Sequence, residues 1–411
     1  MVWSRILGLD CDLRHNFCCL LIILRRLPAE IPFASSRILS GALREGFRGQ
    51  LREAVKPLVR VADLRLVLRT IASRPEVVES TSTDMPVKSK KAALKHTPER
   101  VSPSLSQEEF LALKKPKGNV ILEIDREQVS LTNIDRIYWP DEKIAKFDLL
   151  CYYIRIASHI LPFLKERPAI LQRYPRGIKA PMFFQQDLES APAFIKTVQL
   201  TNQEGRELNY AVYTTVGSLL HFVNLGTIEQ HPWHSTIKHL DSPDYLMLDL
   251  DPKEAPWKNV LEVALVCKEV LDEIGLPAFP KTSGSSGIHI HLPLKPKTDY
   301  GTVAAVAEAL ASEVAQRAPK IATTQRSLAK RQKQQVYVDA MQNARGKSIA
   351  AVFSARAKPG ATVSMPLTWK QIEKGVKISD FTIKNVPALM KKSGQAWAKF
   401  FESRQELKLK V

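Results

Sequence analysis

The stretch YLMLDLDP, Tyr245 to Pro252, decides how the chain is read. An apolar run bounded by turn formers, here Ser242-Pro243 before it and Pro252 at its end, predicts a buried strand. Alternation along a strand puts Asp249 and Asp251 on one face and Leu246, Leu248 and Leu250 on the other. Two ionised carboxylates roughly 7 Å apart along a strand repel unless a cation lies between them. Carboxylate oxygens are the preferred ligands of hard cations such as Mg²⁺ and Mn²⁺. Taken alone, the pair is equally well explained as a strand running into an exposed turn; the flanking sequence breaks the tie.

Downstream, Trp257 to Ile274 has helical spacing and ends at Gly275. KTSGSSGIHIHLPL, Lys281 to Leu294, follows. Its Gly/Ser turn offers backbone N–H groups to an anion, and the strand after it places His289 and His291 on one face. A plain hairpin would have the same composition. Thr302 to Ala318 is an Ala-rich helix, and Lys320 to Lys333 is strongly basic. QQVYVDAMQN then ends a third strand on Asp339, the additional acid that a two-ion site requires. Arg345, Lys347, Arg356 and Lys358 come next and can offer charge to a triphosphate. A short strand within residues 378–386 and a final helix from Ala388 to Leu407 are predicted to cover the sheet.

Upstream, Asn119 to Val129 alternates like one strand, residues 133–140 read as a loop, and Asp148 to Leu164 as an amphipathic helix closed by Pro162 and Pro168. ILQRYPRGIKAPMFFQQD interleaves Arg173, Arg176 and Lys179 with Tyr174, Phe183 and Phe184, a mixture suited to a phosphate backbone and an unstacked base. Adjacent residues on a strand point oppositely, so at least one of the two phenylalanines is expected in the core. His231 and His234 are three apart, but Pro232 argues against a helical metal pair.

The 411 residues carry 60 Lys and Arg against 42 Asp and Glu, a net charge of +18 that points to a polyanionic partner, nucleic acid first. Five cysteines, an odd number without CxxC spacing, indicate neither a zinc ribbon nor a disulfide framework and fit a reducing cytoplasm. Residues 1–84 are expected to be a disordered extension or to be read from too early a start, with Met85 the natural beginning. The apolar run Phe17 to Leu24 is too short for a membrane span and is followed by Arg25-Arg26 rather than a cleavage site. Residues 85–118 are expected to be a basic linker, and 119–411 the catalytic domain.

Three strands thus deliver Asp249 and Asp251, then Ser283 and His289, then Asp339, an order that resembles the archaeo-eukaryotic primase superfamily with its hDhD, sxH and hD motifs. From about Asn119 to Leu407 the chain is similar to the polymerase domain of bacterial ligase D. RIYWP, RPAILQRYPRG, PMFFQ, EQHPWHS, DYLMLDLDP, KTSGSSGIHIHLPL, VDAMQNARGK, SARAKPGATVSMPLTW and DFTIKNVPALM carry that likeness in order. The resemblance implies an α/β fold with a mixed, largely antiparallel RRM-like sheet and a second, smaller α/β subdomain. It implies two Mn²⁺ or Mg²⁺ ions on Asp249, Asp251 and Asp339, with Ser283 and His289 on the triphosphate, His231 facing the nucleotide, and Arg356 and Lys358 neutralising phosphate. The family usually has Arg where Lys358 stands. It further implies a pocket for the 5′-phosphate of a downstream DNA strand at Arg136, Lys146, Phe183 and Phe184, although a lysine is more usual at Arg136. The resemblance also implies a preference for ribonucleotides over deoxyribonucleotides.

The activity so implied is template-directed nucleotidyl transfer at broken DNA ends, in non-homologous end joining in the bacterial cytoplasm at the nucleoid. The chain contains no Asp-Gly, hence no Lys-x-Asp-Gly nucleotidyltransfer motif, so a separate DNA ligase and the end-binding protein Ku are the expected partners, with no membrane. The alternatives are a primase that starts chains without a primer and a catalytically inactive DNA-end-binding module. A DxD glycosyltransferase leaves Ser283, His289 and Asp339 unexplained.

Overall fold

The structure, a computed structural model, describes residues 104–202, 205–393 and 396–407. The expectations for residues 1–84, and for the linker up to residue 103, lie outside the described residues. The described chain begins with β1 (Ser104–Ser106) and helix α1 (Gln107–Ala112). Ser106 caps α1: its hydroxyl accepts the Glu109 N–H and the Glu109 carboxylate accepts the Ser106 N–H. β2 (Val120–Ile124) and β3 (Glu127–Leu131) form a hairpin that β1 joins in parallel. Two expectations are corrected here. Residues 104–112, assigned to the linker, fold because they combine that capping box with a fully buried Phe110. The single strand from Asn119 to Val129 is broken by Asp125 and Arg126, whose left-handed backbone (φ 52° and 67°) reverses the chain.

β4 (Ile137–Trp139) and β5 (Ile144–Ala145) pair where a loop was predicted. They lead into α2 (Lys146–Leu164), whose start is fixed by the Asp148 carboxylate accepting the Ala145 N–H at 2.7 Å. Pro162 lies in its last turn instead of closing it. Among the described residues α2 alone is long and apolar enough to cross a membrane, yet Leu149, Tyr153, Ile156 and Ile160 are buried in the main core. Strands β6 (Pro168–Arg173), β7 (Phe183–Gln185), β8 (Lys196–Thr201) and β9 (Glu207–Val212), helix α3 (Val216–Asn224) and β10 (Thr227–Pro232) follow. They build an antiparallel sheet in the order β10-β6-β9-β8, with β7 also paired to β6.

The second five-stranded sheet is the one the acidic stretch organises. It comprises β11 (Tyr245–Asp251), then helix α4 (Trp257–Glu273), β12 (Phe279–Thr282), β13 (Ile288–Pro293), helix α5 (Tyr300–Arg317), β14 (Ala322–Thr323) and β15 (Val336–Asp339). Strand order is β12-β13-β11-β15-β14, antiparallel except for the parallel β14–β15 edge, so the sheet is mixed as expected. Leu246, Leu248 and Leu250 are fully buried and share one core with Ile288, Ile290, Val336, and with Val260, Val263, Val306 and Leu310 of α4 and α5. Each such side chain contributes about 2 kcal/mol of apolar burial. That clamp forces the opposite face of β11, with both acids, toward the polar side.

After β15 the chain runs between the two sheets, bridging Ser348 to Trp233 of one and Pro366 to Lys281 of the other. The N–H of Ala351 also donates to the Gln230 carbonyl at 2.9 Å. Helices α6 (Trp369–Glu373) and α7 (Val386–Ser393) complete the fold. The short strand predicted within residues 378–386 is a single 3-10 turn, Ile378–Asp380. The helix predicted to reach Leu407 ends at Ser393; beyond it Trp397 and Phe400 pack on Phe163 and Phe279 in irregular turns.

Candidate active site

Strand register lays four polar side chains in one row across the sheet. Lys281 of β12 is opposite His289 of β13, His289 is opposite Asp249 of β11, and Asp249 is opposite Asp339 of β15. Asp251 follows two residues along the same face. Asp249 carries the strain of this arrangement: burial, then the negative charges of Asp339 and Asp251, push its carboxyl up to about 7. A cation relieves both causes at once, and three carboxylates are the oxygen donors that hard divalent ions take. Among the described residues no three His, Cys, Asp or Glu side chains close around one point. Asp339 Oδ1 accepts the Met341 N–H at 2.7 Å, and Asp251 Oδ2 lies 3.8 Å from Arg331. The register therefore gathers the acids while local partners still hold two of their side chains.

The row is set from its buried end. Lys281 is fully buried, and its Nζ reaches the Ala350 carbonyl (2.9 Å), the Ser364 hydroxyl (2.6 Å) and His289 Nδ1 (2.8 Å). With Nδ1 taken, the imidazole turns Nε2 to the acids, 3.5 Å from Asp249 Oδ1. Burial, followed by the charge of Lys281, drives the His289 pKa well below its ordinary range. A second buried carboxylate, Glu229, sits beside the row and accepts from His231 (3.1 Å), from Arg356 Nε (2.8 Å) and from the Ala357 N–H (3.0 Å). Burial alone would raise its pKa, but the His231 hydrogen bond and the Arg356 charge outweigh that and hold it at about 2. Arg356 also donates to the Ser283 carbonyl. In the turn itself the N–H groups of Ser285, Ser286 and Gly287 all converge on Ser283 Oγ, at 3.1, 3.1 and 2.9 Å. Two glycines allow this: a Cβ on Gly287 would lie 2.0 Å from the Leu250 carbonyl oxygen, and one on Gly284 would lie 2.7 Å from Arg356 Cγ.

The profile of the family described as the LigD primase-polymerase domain matches residues 145–397, which takes in the whole row. The chain belongs to this family. It is 30% identical over 282 residues to the bifunctional non-homologous end joining protein LigD of Bacillus subtilis, covering 68% of this chain and 45% of that protein. To the multifunctional non-homologous end joining protein LigD of Pseudomonas aeruginosa it is 29% identical over 284 residues, covering 68% and 34% respectively. The chain thus spans less than half the length of these relatives. Its fold is similar to that of the polymerase domain of Mycobacterium tuberculosis ligase D in complex with DNA, with TM-score 0.62 and 26% identity over 67% of this chain and 98% of that one. As a LigD primase-polymerase domain the chain is a polymerase of the nucleotidyltransferase type.

Of the remaining predicted site residues, Lys358 is exposed on the loop that carries Arg356, and its carbonyl accepts the Trp139 indole N–H at 2.9 Å. The Gly360 N–H on the same loop donates to the Glu142 carboxylate. The other four expected residues form a separate cationic region of this LigD-type domain. Lys146 is buried and donates to the Thr132 carbonyl; burial, then the charges of Arg136 and Arg173, lower its pKa to about 7. Arg173 lies over the Phe183 ring at 5.2 Å. Phe183 and Phe184 are 45% and 60% exposed, which corrects the expectation that one is core: β7 is a three-residue strand paired only to β6 and packs neither ring. Sequence reasoning missed Lys281 and Glu229. Glu229 shares a strand face with His231, a period-two signal that was available, and Lys281 needs only the register of the β12–β13 hairpin.

Proposed function

We propose that this chain extends DNA ends by template-directed nucleotidyl transfer, with Asp249, Asp251 and Asp339 holding two divalent ions, Mn²⁺ or Mg²⁺. The observation that carries this reading is the direct pairing of Asp249 with Asp339 across β11 and β15, flanked by His289. Ions bound there supply a more acidic 3′-hydroxyl and charge neutralisation on the triphosphate of the incoming nucleotide. The chain's own groups do the rest. His289 presents Nε2 toward the triphosphate, Ser283, whose oxygen already gathers the N–H groups of its turn, donates its O–H to a phosphate oxygen, and Arg356 and Lys358 balance the remaining charge. His231, oriented by Glu229, faces the nucleotide. Lys146, Arg136, Phe183 and Phe184 receive the 5′-phosphate of a downstream strand: the cations bind the phosphate and the exposed rings stack on a base.

In this reading the substrates are gapped or broken DNA and nucleoside triphosphates, with ribonucleotides preferred as the family resemblance implies. Ku and a ligase carried elsewhere complete the joining at the nucleoid. The test is filling of a gapped duplex with ribo- and deoxyribonucleotides, each in Mn²⁺ and in Mg²⁺. Primer-dependent incorporation favouring ribonucleotides is expected. Binding without incorporation in either ion would leave an end-binding module, and strong synthesis without a primer would make the chain a primase.

A further inference from the structure

Strand β11 has two ends, and the acids occupy only one. Asp244, just before the other end, stands on the order of 16 Å from Asp249 by strand rise. There a cavity of about 410 Å³ opens, lined by Lys165, Arg167, His239, Asp244, Phe401 and Arg404 among others. Arg167 and Asp244 are almost wholly buried, 2% and 4% exposed. Arg167 and Arg404 both donate through Nη2 to a single oxygen, Asp244 Oδ2, at 2.6 and 2.5 Å. Asp244 Oδ1 and the Nε of each arginine are buried without a hydrogen-bond partner. Lys165 is exposed and has no ion-pair partner among the described residues, while the adjacent Glu166 is engaged by Lys196 at 3.0 Å.

One carboxylate therefore faces three permanent cations, so the cluster keeps an excess of positive charge against a largely buried wall. The buried Arg167–Asp244 pair is neutral, and the excess sits on Arg404 and Lys165 at the solvent-facing side of the cavity, where an anion can meet it. Arg404, whose side chain is 30% exposed, and the exposed Lys165 present the donors an anion can reach, and a guanidinium's planar edge matches phosphate oxygens. We propose that this cavity is a second anion site that binds a phosphate group, supplied either as free orthophosphate or by the terminus of a nucleic-acid strand. Lys165 and Arg404 are its ligands, with Arg167 holding Asp244 behind them. The inference does not depend on the catalytic reading, since it shares no residue with the acid row.

The test is equilibrium dialysis of the full chain against radiolabelled orthophosphate at constant ionic strength, with chloride as the balancing anion. A Lys146→Ala/Arg356→Gln double variant removes one cation from each of the two other proposed phosphate sites and is expected to keep one bound phosphate. Adding Lys165→Glu or Arg404→Gln to it should weaken that binding at least tenfold. Lys165→Glu alone, a change at an exposed side chain, should leave the melting temperature unaltered, so loss of binding there is not loss of fold. Displacement of the phosphate by a 5′-phosphorylated oligonucleotide, but not by its 5′-hydroxyl twin, identifies a strand terminus as the source; equal failure of both identifies free phosphate. No phosphate bound by the double variant, or undiminished binding after Lys165→Glu, overturns the proposal.

Discussion

The acid row and the Lys146 region are mirror images in charge. Burial and like-charged neighbours push Asp249 up to about 7, and burial and like-charged neighbours bring Lys146 down to about 7. Each region thus holds a group halfway to neutrality and gains most from a ligand of opposite sign, a divalent cation in one and a phosphate in the other. They differ in scaffolding. The acids stand on central strands fixed by cross-strand partners, whereas the cationic region is assembled from a helix start, a strand edge and two exposed rings. Rigid strands suit the reacting groups, and an edge suits the grip on a polymer that must slide in.

The comparison breaks most sharply at the acids. Asp249→Ala or Asp339→Ala is expected to lower incorporation by on the order of 10³-fold or more, while DNA binding measured by gel shift survives on the basic surface. Activity within tenfold of wild type would remove the ion-binding assignment. Lys281→Met comes next: loss of the group that holds His289 Nδ1 should lower kcat by roughly 10–100-fold. Its melting temperature should fall as well, because the Ala350 carbonyl, the Ser364 hydroxyl and His289 Nδ1 stay buried without their donor. A fall in stability with kcat intact would make Lys281 purely structural.

At the cationic region Lys146→Ala should weaken binding to 5′-phosphorylated ends by about tenfold, or about 1.4 kcal/mol, and leave 5′-hydroxyl ends nearly unchanged. Equal loss on both would show that no phosphate-specific contact exists. The smallest effects are those of pH. The folded Lys146 value, about 7, lies below the ordinary 10.5, so the unfolded chain binds more protons between them. Stability from this group accordingly rises with pH across that window. The preference for 5′-phosphorylated ends should fall a few-fold over the same interval, as the amine loses its charge. For Asp249 the folded value lies above the ordinary 3.8, so without a bound cation stability falls as pH rises from about 4 to about 7. Mn²⁺ should recover the loss, and melting curves with and without Mn²⁺ at pH 5 and pH 8 check it.

Much of the catalytic sheet was legible because its signals are local. YLMLDLDP alternates cleanly between two turn formers, and β13 and β15 do the same, so the faces of Asp249, His289 and Asp339 followed from period two alone. What escaped depended on pairing. Lys281 acts through a residue eight positions away, and its burial reflects three acceptors gathered from β13, Ala350 and Ser364. The Asp125-Arg126 turn contains no glycine or asparagine, so nothing in its composition announced two left-handed residues. The Phe183-Phe184 pair misled because alternation places residues on faces but does not say whether both faces are covered.

The loop bearing Arg356 and Lys358 is tied to the Trp139–Glu142 turn through the Trp139 indole and the Glu142 carboxylate. On the function proposed above, that brace makes the molecule a caliper: the stations gripping the two ends of a gap keep a set separation. Gaps of one length should then be filled fastest. Trp139→Phe, which removes one jaw screw without emptying the core, should broaden the range of gap lengths accepted while leaving the rate on the best gap unchanged.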